Sequence, residues 1–248
     1  MSDLWIVIPA AGKSQRFIDA GYSISKPLLN LKAPSGKESW MINHVLDTIP
    51  PGYPIITALP TGLKVDTGGL THMQCIEIVL DEVEASKEKH YIQYIEKTLG
   101  QADTVYQTIK HIDPNDSVMI VDVDTILDTK DLQTMIEFLQ VYDAVIAVAT
   151  SFDPNASRVD QIPFPTRFVE KQPISQYAII GARAFKSIGL LTSALKRVLE
   201  RYEILGQEPF LSVAINHYPG TKYAHQIMGY TDLGTPQAIV DAGWEILS

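Results

Sequence analysis

The residues best suited to phosphate chemistry lie directly after an apolar run. Pro9–Phe17 reads PAAGKSQRF and follows Leu4–Pro9 (LWIVIP). Small residues at Ala10, Ala11 and Gly12 would let backbone N–H groups come close to phosphate oxygens, and Lys13 and Arg16 add positive charge. Lys26-Pro27 comes next in the argument, because the residue before a proline favours extended backbone. That would hold the Lys26 ammonium over the same place. A surface turn with scattered charges accounts for the loop alone equally well. The glycine spacing fits neither a Walker loop nor a dinucleotide fingerprint.

Carboxylates form the second group. VMIVDVDT places Asp122 and Asp124 at the end of an apolar strand, and strand alternation points both to one side. Oxygen ligands at a strand's carboxyl end suit Mg²⁺, which is commonly held by one or two carboxylates plus substrate phosphates. Capping of the following turn is the competing reading. Asp232, in YTDLGTP, could embrace the same cation from a second side. Gly100-Gln101 precedes a helical pattern, where the backbone could approach a base or ribose and the glutamine could read a base edge. Glu170-Lys171 follows a short strand and, read alone, is a solvated charge pair.

These groups need a frame, and the hydrophobic pattern supplies one. Leu4–Pro9, Pro54–Leu59, Cys75–Leu80, Ser117–Val121 and Ala144–Ala149 read as buried strands. Between them, Glu38–Ile49, Gln101–Ile112 and a segment capped by Thr129 read as amphipathic helices. The alternation predicts an α/β fold with a mostly parallel, doubly wound sheet. Further on, Thr166–Val169, Tyr177–Ala182 and Lys222–Met228 read as strands, and Pro209–His217 as a helix. Ser187 and Thr235-Pro236 read as helix starts. The expected organisation is one domain over 1–248, with a nucleotide-binding half at 1–150 and an acceptor-side elaboration at 151–235.

Composition narrows the partners. The chain has 248 residues, 46% of them hydrophobic, and a formal net charge of -9. That length can bury a core without disulfides or structural metals. The negative balance disfavours nucleic-acid and anionic-membrane partners, while a homo-oligomer remains compatible with it. The single cysteine, Cys75, excludes a disulfide framework and is expected as a buried core thiol. The opening Met1-Ser2-Asp3 lacks a signal-peptide pattern and no apolar run has transmembrane length, so a cytoplasmic protein is expected.

Taken in order, IVIPAAGKSQRF, SKPLLNL, LGQADTV, VMIVDVDTIL, RFVEKQPIS and GYTDLGTPQAI resemble the sugar-phosphate nucleotidylyltransferases, also called nucleotide-sugar pyrophosphorylases. The resemblance runs from Ile6 to Ile239 and is nearest to the short, single-domain type. It implies a Rossmann-like mixed sheet flanked by helices, of the nucleotidyltransferase or GT-A type. It also implies Mg²⁺-dependent joining of a nucleoside triphosphate to a sugar-1-phosphate, with release of pyrophosphate. By the same resemblance Ala10, Ala11, Gly12, Gly100 and Gln101 hold the nucleotide, and Arg16, Lys26 and Lys171 act at the phosphates. Glu170 and Lys171 hold the sugar phosphate, and Asp124 and Asp232 hold Mg²⁺. The chain departs from the family in having Ser14 for a loop glycine and a split Glu170-Lys171-Gln172-Pro173. Two other readings stand beside this one: a nucleotide-sugar-dependent glycosyltransferase using Asp122-Val123-Asp124, and a non-catalytic nucleotide or sugar-phosphate binding protein. A non-sugar acceptor such as phosphocholine is also compatible with the opening loop.

Overall fold

A computed structural model describes residues 3–61, 89–206 and 208–247. Cys75 and the strand expected at Cys75–Leu80 lie outside the described residues. The central strand is β1 (Leu4–Pro9), in which Ile6, Val7 and Ile8 are fully buried. It pairs in parallel with β4 (Ile55–Pro60) on one side and β6 (Ser117–Val121) on the other. Burial on both faces explains the unbroken apolar run.

Beyond β4 lies β5 (His90–Ile95), also parallel. Beyond β6 the direction reverses: β11 (Tyr177–Phe185) runs antiparallel to β6 and to β8 (Ala144–Thr150). β12 (Lys222–Gln226) pairs in parallel with β8. The short strands β9 (Arg158–Val159) and β10 (Phe168–Val169) attach to the start of β11. The sheet is thus mixed and mostly parallel, in the order β5-β4-β1-β6-β11-β8-β12.

Helices cover both faces. α3 (Gln101–Ile109), α5 (Ile188–Leu205) and α6 (Leu211–His217) share a buried cluster with Val7, Val118 and Ile120. α2 (Met41–Thr48), α4 (Thr129–Phe138) and α7 (Pro236–Asp241) pack with Ile6, Ile8 and Met119. Successive strand residues therefore feed opposite cores, as the period of two requires. Among the described residues no helix is long and apolar enough to cross a membrane.

Several expected elements moved. Glu38–Trp40 is not helical but forms β3, paired with β2 (Asn30–Lys32). The turn at Gly36, with φ 87°, returns Lys37 to Ala33 and makes the hairpin. The helical period begins only at Met41, and β14 (Glu245–Ile246) adds a third strand beside β2. Asp128, not Thr129, caps α4, because its carboxylate accepts from the Lys130 N–H (2.8 Å). Ser187 and Thr235 do cap their helices through their hydroxyls. β5 went unread because His, Tyr and Gln interrupt its apolar positions.

Candidate active site

A cleft of about 810 Å³ opens beyond the carboxyl ends of four parallel strands, with Pro9, Pro60, Ile95 and Asp122 on its floor. The chain proceeds from β1 to β4 and β5 on one side and returns to β6 on the other. The cleft therefore sits at the point where strand order reverses, the usual ligand position in such sheets.

The loop after β1 forms one wall. Ala11, Gly12, Ser14 and Arg16 line the cleft, and Lys13 stands with them. Ala10 is buried, and its N–H donates to the Ala58 carbonyl (2.9 Å), so it anchors the loop to β4 instead of facing a ligand. A Cβ on Gly12 would meet open space, so the backbone there is approachable. Ser14 takes the left-handed conformation (φ 55°), which accounts for the glycine that the resemblance led us to expect. Its Oγ accepts from the Lys26 N–H (3.1 Å), tying the loop to the lysine. Phe17 anchors the loop's end in the core, a burial that stabilises by roughly 2–3 kcal/mol.

Lys26 does not take the extended backbone expected of it. The extended residue is Ser25 (ψ 131°), and Lys26 opens a single 3₁₀ turn, Lys26–Leu28. The side chain still reaches the cleft, where its Nζ pairs with Asp124 Oδ2 at 2.6 Å.

The two aspartates after β6 diverge. Asp122 Oδ2 pairs with Arg183 Nη1 (2.7 Å), and its Oδ1 accepts from Gln101 Nε2 (2.7 Å). Asp124 instead faces Asp232. β13 (Tyr230–Asp232) runs antiparallel to β7 (Thr125–Leu127), with Asp232 opposite Thr125. The Leu233 N–H donates to the Asp124 carbonyl (2.7 Å), and Gly234 N–H donates to Asp232 Oδ1 (2.8 Å). A Cβ on Gly234 would lie 2.9 Å from Asp232 Oδ1 and 3.3 Å from Asp124 Oδ2. The glycine is what lets both carboxylates close on one spot.

Electrostatics differ among the three. Burial pushes the Asp124 carboxyl up, but the Lys26 ammonium outweighs it and holds Asp124 below the usual range. Burial pushes Asp232 up; the Gly234 N–H opposes that, and the nearby Asp124 charge reinforces it. Burial, joined by the nearby Asp124 charge, holds Asp122 above the usual range although the Arg183 guanidinium opposes it. Two carboxylates converging on one spot, one of them raised by the other's charge, are a donor set that fits a hard divalent cation. Among the described residues no group of three or more His, Cys, Asp or Glu converges. The rest of such an ion's shell would come from phosphate oxygens and water, as Mg²⁺ prefers.

Gly100 and Gln101 line the opposite wall at the start of α3. Glu170 and Lys171 are not among the cleft-lining residues. Glu170 Oε2 accepts from the Ser212 hydroxyl (2.8 Å) and from that of Ser157. Lys171, with φ 51°, holds its ammonium 5.1 Å from the centre of the Phe210 ring. Phe210 lies close in sequence to Glu208, which does line the cleft. Sequence reasoning missed Arg183, Glu208 and Gly234. Arg183 carried a usable signal: it is a lone charge within the apolar AIIGARAF of β11, and a buried guanidinium needs a partner.

No protein-family model matches the sequence, and no curated protein matches it. Solved structures do. A nucleoside-diphosphate-sugar pyrophosphorylase from Vibrio cholerae superposes with a TM-score of 0.72 at 18% identity, over 96% of this chain and 98% of its own. The UTP-bound UGPase from Acinetobacter baumannii gives 0.69 at 18% identity, over 98% and 92%. The inositol-1-phosphate CTP transferase from Thermotoga maritima gives 0.65 at 13% identity, over 96% and 91%. Across nearly its whole length, the chain has the fold of the nucleotide-sugar pyrophosphorylases and related nucleotidyltransferases.

Proposed function

We propose that this chain is a Mg²⁺-dependent nucleotidyltransferase that joins a nucleoside triphosphate to a sugar-1-phosphate and releases pyrophosphate. The observation that carries the reading is the opposition of charges across one cleft. Lys13, Arg16 and Lys26 stand around the β1 loop, and Asp124 faces them with Asp232 beside it. Cations in this position suit the β- and γ-phosphates, and the loop backbone at Ala11 and Gly12 suits the phosphate chain. A phosphate oxygen of the acceptor attacks the α-phosphorus in line, the bond to the bridging oxygen breaks, and pyrophosphate departs with the electron pair. The nucleophile is already an anion, so no side chain need remove a proton. Arg16 and Lys26 act by neutralising charge that shifts onto the leaving oxygens. Asp124 and Asp232 would hold Mg²⁺, which would add neutralisation of the phosphate oxygens. Glu170 and Lys171, beside Ser212 and Phe210, would act on the acceptor.

The rival glycosyltransferase reading needs both aspartates of Asp122-Val123-Asp124 for a metal-bound diphosphate. The 2.7 Å pair between Asp122 and Arg183 favours the nucleotidyltransferase instead, because it occupies one of them. The test is pyrophosphate release from each nucleoside triphosphate with a panel of sugar-1-phosphates and Mg²⁺. Release from at least one pair is expected. Hydrolysis or transfer from a nucleotide sugar with no release from any pair would favour the glycosyltransferase. Binding without turnover would favour a pure binding protein.

A further inference from the structure

The wall at the start of α3 is rich in acceptors, and the hydrogen-bond directions show why. Gln101 is fixed by its partner. Asp122, ion-paired to Arg183, accepts, so the Gln101 atom 2.7 Å from it is the amide nitrogen. The Gln101 carbonyl oxygen is left free to accept. Across from Gly100 stands the Glu208 carboxylate, whose Oε1 lies 3.5 Å from where a Cβ on Gly100 would be. That spacing is ordinary contact, so the helix start and the Glu208 carboxylate adjoin at Gly100. Lys97 also lines the wall and adds an ammonium at its edge.

We propose that this wall reads the nucleobase and selects guanine, an inference that rests on the nucleotidyltransferase reading above. Guanine presents two adjacent donors, N1–H and N2–H, which one carboxylate can accept side by side. Its O6 suits the Lys97 ammonium. Uracil and thymine offer a single N3–H between two carbonyls, which would face the Glu208 oxygens with like partial charge. Adenine and cytosine place a bare ring nitrogen beside their amino group, with the same conflict. A carboxylate that a bound base covers without offering it a donor loses its water and costs binding, so this wall discriminates by what the wrong base lacks.

Two measurements test this together: dissociation constants for GTP, ATP, CTP, UTP and dTTP by calorimetry without acceptor, and kcat/KM for pyrophosphate release with each. GTP is expected to lead UTP and dTTP by at least about tenfold in both, the lower range for one good two-point base contact. Glu208→Gln, a substitution at an exposed position, is expected to erase that lead without changing the thermal unfolding midpoint. Preference for any other base, no preference, or a guanine preference that survives in Glu208→Gln would overturn the assignment. The two readings fail separately. Selective GTP binding with no pyrophosphate from any sugar-1-phosphate would uphold guanine selection and sink the transfer reaction. Efficient release that is best with UTP would do the reverse.

Discussion

Asp124 depends on how its neighbours are set around it, with Lys26 on one oxygen and Asp232 across Gly234. Losing its carboxylate would leave the Lys26 ammonium without its partner and one side of the cation position bare. Asp124→Ala is therefore expected to lower kcat at least about a hundredfold at saturating Mg²⁺, the usual order for one key electrostatic group. Steady-state pyrophosphate release checks this, with far-UV circular dichroism to show that the fold is kept. Turnover near that of the parent would sink the metal assignment. At this scale much was legible. Residue type and strand-end position marked Asp124, and the loop composition marked Gly12, Arg16 and Lys26. The partition between Asp122 and Asp124 was not legible, because alternation fixes a side but not a partner. Arg183, which makes that partition, comes from a strand distant in sequence.

β11 is the element on which the cleft floor rests. Its pairing with β8 slips between Ile179 and Arg183, and Gly181 there has φ 54°. The Gly181 carbonyl accepts the Asp122 N–H at 2.7 Å, so the bulge holds the Asp122–Asp124 turn from beneath. A Cβ at Gly181 would lie 2.9 Å from both Thr125 Cγ2 and Leu127 Cδ1. Gly181→Ala is expected to destabilise by about 2 kcal/mol or more, from left-handed strain and overpacking together. Chemical denaturation reads this directly; an unchanged midpoint would show that the turn does not depend on the bulge. β11 was seen in the sequence as a short strand ending at Ala182, yet it runs to Phe185 between β6 and β8. Local pattern identified a strand but could not say which neighbours it would choose. The β2–β3 hairpin was missed because Glu38 and Trp40 happen to continue the helical period of α2.

At the scale of the whole molecule, the alternation of strands and helices was enough to give the sheet and its covered faces. What it could not give was the antiparallel insertion, which depends on pairings between distant segments. The same packing sets the response to acid. His90, in β5, is buried with its Nε2 2.9 Å from the Thr57 hydroxyl, and burial pushes its pKa down from 6.5 to about 4. His44 moves the same way, burial outweighing its contact with the Leu31 carbonyl. A base whose folded pKa is lowered contributes fully above its unfolded value. Its contribution falls as pH drops from about 6.5 to about 4, where the unfolded chain binds the proton more readily. For His90 the loss across that window is about 3 kcal/mol. Denaturation midpoints measured from pH 7 to pH 4 should decline, and His90→Gln should flatten the decline; equal slopes in the two proteins would remove His90 as the cause.

The ribbon of β7 and β13 has a consequence for synthesis. It joins Thr125 to Asp232, so the two carboxylates around Gly234 come from early and late parts of the chain. A nascent polypeptide emerging from the ribosome can pair β1, β4 and β6 long before β13 exists. It would have the phosphate loop and Asp124 but no second carboxylate, and β11 would not yet hold the turn from below. Partial products that stop short of β13 would therefore be unable to assemble the site, and its synthesis would act as the licence for activity.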